Sequence, residues 1–96
     1  MATLFISVWD NASQTLLGQP LQETSVAIGA ASAQSDAITG SNKETRLVRV
    51  FADSDCYVTW GSDPTASSAD GRPMGAENPE VFGIVAGEKI AVIERV

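Results

Sequence analysis

Apolar and polar residues alternate along this chain in short runs, and the runs are separated by clusters of Gly, Pro, Asn, Asp and Ser. A two-residue period bounded by turn residues is the signature of β-strands. In Thr3–Trp9, Leu4, Ile6 and Val8 alternate with Thr3, Phe5, Ser7 and Trp9, so large apolar groups stand on both faces. Such a strand lies between two layers or has one face covered by a partner. The next stretch, 10–20, holds turn residues around a short Leu16–Leu17 element.

From Glu23 the chain is rich in Ala, Ser and Thr, with Val26, Ile28 and Ile38 as its sizeable apolar residues. Two weak strands, Glu23–Ile28 and Gln34–Thr39, fit this composition better than a helix, because no wide apolar stripe develops. A strong strand, 44–52, then turns through Asp53–Asp55 into a second, Cys56–Gly61. In that second strand Cys56, Val58 and Trp60 share one face and Tyr57 the other. Gly61 to Pro79 reads as a nineteen-residue loop with three of the four prolines, and loops beyond about 12–15 residues are usually functional or disordered. Two closing strands, Glu80–Val85 and 89–96, meet at a turn through Gly87. Seven or eight short strands about 8–12 residues apart predict an all-β domain, a small β-sandwich or jelly-roll-like barrel with long loops. The expected core is Leu4, Ile6, Val8, Val48, Val50, Val58, Trp60, Phe82, Ile84, Ile90 and Val92.

At 96 residues this is one domain, 1–96, with a modest core and an N-terminal strand or arm able to contact a neighbour. Its twelve acidic and six basic side chains give a formal net charge of −6 with no basic run. A nucleic-acid partner needs the opposite field, and no apolar stretch approaches the ~20 residues of a membrane helix. The chain is expected to be made in a cytoplasm. Its single cysteine, Cys56, reads as a small core residue; the neighbouring Asp53 and Asp55 disfavour a thiolate.

Catalytic candidates are sparse. There is no histidine to act near neutral pH, and the carboxylate pairs Asp53/Asp55 and Glu77/Glu80 lie in turns, where acidic residues are common for local reasons. One cysteine and no histidine do not make a transition-metal site. "GIVAGEK" has glycines too close together, and Ile90 stands where a phosphate loop needs Ser or Thr. The reading is therefore a non-enzyme without cofactor or metal. Six aromatics are many for so small a core, and Trp9 and Tyr57 fall on outward strand faces, where aromatics favour protein contacts. Arg72 and Met74, flanked by Gly71, Pro73 and Gly75, complete the expected protein-interface set. The loops 10–20 and 61–79 are expected to clamp neighbouring subunits.

The segment "RLVRVFADSDCYVTWGSDPTAS" with "PEVFGIVAGEKIAVI", Arg46 to Ile93, resembles small β-rich proteins from the structural-gene region of tailed bacteriophages. The shared scheme is strand, turn, a strand ending in Gly, a P-T-A loop and two closing strands. The insert Ser67–Asn78 departs from it. The resemblance implies a capsid decoration (cement) protein on the outer surface of the virion head, binding the major capsid protein as a homotrimer and stabilising the shell. It brings no catalytic or ligand-binding residues. The competing reading is a tail, baseplate or fibre-associated module that recognises carbohydrate through Trp9, Trp60 or Tyr57.

Overall fold

The structure is a computed structural model that describes residues 2–9, 20–40 and 44–95. The expected Leu16–Leu17 element and nearly all of the loop expected over 10–20 lie outside the described residues. Among the described residues, eight antiparallel strands form two four-stranded sheets. Sheet A has the order β2 (Gln22–Ile28), β1 (Ala2–Trp9), β4 (Thr45–Ala52), β7 (Glu80–Val85); sheet B has the order β3 (Ala33–Gln34), β8 (Lys89–Glu94), β5 (Cys56–Gly61), β6 (Arg72–Met74). The all-β sandwich read from the alternation is the observed fold. Counted from β2, the seven later strands follow the order of a jelly roll, and β1 occupies the place of its eighth strand, between β2 and β4. β1 is thus interior to its sheet, paired with β2 on one edge and β4 on the other.

The sheets face each other through Leu4, Ile6, Val8, Val26, Ile28, Val48, Val50, Val58, Ile84, Ile90 and Val92, all buried. Trp60 and Phe82, expected in the core, are partly buried and pack on it with ring centroids 4.5 Å apart. Cys56 is fully buried among them.

Three local features depart from the pattern of the chain. The strand expected over Gln34–Thr39 stops at Gln34, because the Ser35 hydroxyl takes the Ile90 N–H at 3.0 Å in place of a backbone carbonyl. Single bonds from Ile38 N–H to Glu88 and from Gly87 N–H to Ile38 carry the segment on along the β8 turn. The nineteen-residue loop is interrupted by β6, which pairs Cys56 with Met74 and Val58 with Arg72. Pro73 is tolerated there because β6 is an edge strand with no further neighbour to donate to. Finally, Arg46 points with Val48 and Val50 into the sandwich end, where its Nε donates to the Thr39 carbonyl at 3.2 Å. Gly40 makes room for it: a Cβ there would stand 2.7 Å from Arg46 Nη2, and its φ of +135° disfavours a side chain besides.

Candidate interaction surfaces

In β1 the core takes Leu4, Ile6 and Val8, so the two-residue period turns Thr3, Phe5, Ser7 and Trp9 to the outer face of sheet A. By the same rule β2 presents Glu23 and Ser25 there, β4 presents Leu47, Arg49 and Phe51, and β7 presents Val81 and Gly83. The ladder sets these side chains in rows. One row is Glu23, Ser7, Arg49, Val81; the next is Ser25, Phe5, Phe51; a third brings Trp9, Leu47 and Gly83 together. Phe5 is 48% exposed and Val81 55%. The Phe5 and Phe51 rings stand 6.2 Å apart, and the Arg49 guanidinium lies 6.0 Å from the Phe51 ring. The small side chains of Ser7 and Ser25 leave a shallow hollow of about 320 Å³ between Phe5 and Glu23.

Sheet B presents a different outer face. Tyr57 stands opposite the buried Cys56 and Val58, half-covered by the turn at Ser67–Gly71. That turn presses so closely that a Cβ on Gly71 would meet the Tyr57 Cβ and the Ser67 carbonyl, each at 2.6 Å. The Arg95 guanidinium lies 5.9 Å from the Tyr57 ring and its Nη2 is 3.6 Å from Asp55. A second hollow of about 310 Å³ opens beside Tyr57, lined also by Ala30, Ser68, Ile93 and Glu94.

The four residues expected to form one interface are dispersed. Trp9 is on the outer face of sheet A and Tyr57 on that of sheet B. Arg72 is exposed on β6, where its Nη2 pairs with Glu80 at 2.9 Å and its guanidinium covers the Phe82 ring at 5.3 Å. Met74 is not at the surface: it is fully buried, aligned with Cys56 and packed in the core. The expected surface contact for Met74 fails because the β6 ladder sets it against Cys56 on the inward side; Arg72, two residues away, shares that side but lies at the open edge, where it reaches Phe82 and Glu80 and stays exposed. Pro64 and Ala66 are buried too, so parts of the segment expected to clamp neighbours cover the core, while most of it is exposed. Of the three aromatics, Trp60 faces the sandwich interior, and Trp9 and Tyr57 lie on opposite outer faces.

The acidic turn is structural in its contacts. Asp53 Oδ1 accepts from the Thr3 N–H at 2.7 Å and Asp55 Oδ1 from the Ala76 N–H at 2.8 Å, tying the turn to distant segments rather than to its own backbone. No group of three potential metal ligands occurs among the described residues. Burial pushes the Cys56 thiol up to about 11, with Asp55 adding to the rise and Arg95 opposing it.

Sequence reasoning missed Phe51, Val81, Arg49 and Glu23 as surface candidates. Their alternation was visible, but which strands lie side by side was not, and only the pairing gathers them into one face. No protein-family model, no curated protein and no solved structure matches this chain.

Proposed function

We propose that this protein is a non-enzymatic structural component of a phage virion, which binds the outer surface of the icosahedral head and stabilises it. The observation that carries this reading is the outer face of sheet A. A self-sufficient small sandwich keeps one side of each sheet polar, whereas here Phe5, Phe51, Val81 and Leu47 gather on the solvent side of one sheet. Apolar surface of that kind marks a subunit that works within an assembly. The resemblance over Arg46–Ile93 gives the assembly its kind. Those residues build β4 through most of β8, and so contribute to both layers. The Ser67–Arg72 turn, exposed at Ser68, Ala69, Asp70 and Arg72, is the contact we assign to the major capsid protein.

Binding of the purified protein to heads stripped of decoration tests this. Saturable binding, with a rise in the temperature or denaturant concentration at which heads open, is the expected result. Absence of binding to heads, with binding to tails or to a glycan surface instead, would replace it with the tail-associated reading.

A further inference from the structure

We infer that the outer face of sheet A docks on the same face of a second copy of this chain, in a twofold pair whose axis runs above β1 and roughly parallel to it. The inference rests on the reading that this face is covered in an assembly, and it names the cover. A twofold axis lying over β1 exchanges the β2 side of one copy with the β4 side of the other. In the row Glu23, Ser7, Arg49, the two charges flank Ser7 one strand away on either side, about 4.8 Å each. The operation therefore lays Arg49 of each copy over Glu23 of the other, forming two symmetry-related ion pairs.

The neighbouring row obeys the same operation. Phe5 lies on the axis and meets its own mate, while Phe51 of each copy comes down over Ser25 of the other. There the hollow between Phe5 and Glu23, lined by Ser7, Thr24 and Ser25, is open to receive the ring. Bulky residues on the β4 side thus meet small ones on the β2 side, and a cation meets an anion. An axis placed midway between β1 and β4 would instead set Glu23 against Val81 and Arg49 against Ser7, so the charges select the axis over β1. Aligned sheets pack with strands about 30° apart, which asks the axis to lean only about 15° from β1. Arg49 has no ion-pair partner among the described residues, and its guanidinium lies 6.0 Å from the Phe51 ring.

Area decides the strength. Three overlapping strands of about seven residues give a flat footprint of about 350 Å² per copy, against about 800 Å² per partner in stable complexes. The pair is therefore in the weak, transient class and forms where copies are concentrated. A face that matches itself closes as a pair, whereas a trimer joins two different patches.

Sedimentation velocity on the free protein from about 10 μM to about 1 mM reads the pair without any capsid. Dimerisation over that range is expected. Arg49→Glu should weaken it at least about tenfold by setting like charges together twice, and Glu23→Arg combined with Arg49→Glu should restore it. Both positions are exposed, and circular dichroism checks that each variant folds. As an independent reading, Ser7→Cys on the axis should link two copies through a short bismaleimide, the buried Cys56 staying silent, while Ala76→Cys should not. A monomer or a trimer throughout, or a dimer indifferent to Arg49→Glu, would overturn the inference. A dimer that fails to bind heads leaves the pair standing and removes the decoration reading; a monomer that binds heads does the reverse.

Discussion

Arg72 on β6 and Glu80 on β7 meet at 2.9 Å, which ties the edge strand of sheet B to the edge strand of sheet A across the open side of the sandwich. The same guanidinium lies over Phe82, whose ring packs on Trp60, so the seam is polar outside and aromatic inside. The ion pair is partly exposed, Arg72 more than Glu80, and exposed pairs contribute about 0–1 kcal/mol. Arg72→Ala should accordingly lower stability by no more than about 1–1.5 kcal/mol, most of it from uncovering Phe82. Urea unfolding measures this, and a loss of 3 kcal/mol or more would give the seam a larger structural part than its exposure allows.

Met74 should behave differently although it is only two residues away. Its side chain is fully enclosed, so Met74→Ala removes packed volume and should cost about 2–5 kcal/mol. Val58→Asp, placing a charge with no partner at the centre of β5, should cost several kcal/mol and leave little folded protein at 37 °C. Thermal unfolding of the two variants beside Arg72→Ala ranks them.

How far the chain announces this contrast is instructive. Strand alternation was enough to place Leu4, Val48, Val58 and Ile90 inside, because a two-residue period over five or more positions leaves one choice of face. Three residues, Arg72–Met74, are too few to show a period, and with Pro73 in the middle they read as loop. Ser35 hid a strand end because a hydroxyl replacing a carbonyl leaves no mark in composition. The outer face of sheet A was half legible: Phe5 and Trp9 were visibly opposite the core residues of β1, but the row joining Glu23 to Arg49 depends on β1 entering between β2 and β4. That is a long-range pairing which no local pattern encodes.

Gly71 is held by space. Its neighbours leave 2.6 Å where a Cβ would stand, so Gly71→Ala must lift the Ser67–Arg72 turn from Tyr57 or strain it. A loss of about 1–3 kcal/mol is expected, with increased amide exchange in the turn. Gly61→Ala, where nothing lies within 4 Å of the new Cβ, is the control and should cost well under half as much.

Cys56 sets an alkaline limit. Its thiol is raised from 9.0 to about 11 by burial, so between those values the folded chain keeps a proton that the unfolded chain has released. Stability from this group is complete below pH 9 and is lost as pH climbs towards 11. Urea midpoints recorded from pH 8 to 11 should fall more steeply in the wild type than in Cys56→Ala. A thiol reagent should react with the native protein far more slowly than with the unfolded chain.

The central claim, that the protein decorates a phage head, is tested most directly by imaging intact virions at side-chain resolution and fitting this sandwich into the density. The account predicts copies repeated over the outer head surface at hundreds per particle, with the Ser67–Arg72 turn against the shell. Density confined to the tail or baseplate, or no copy on the particle, would contradict it.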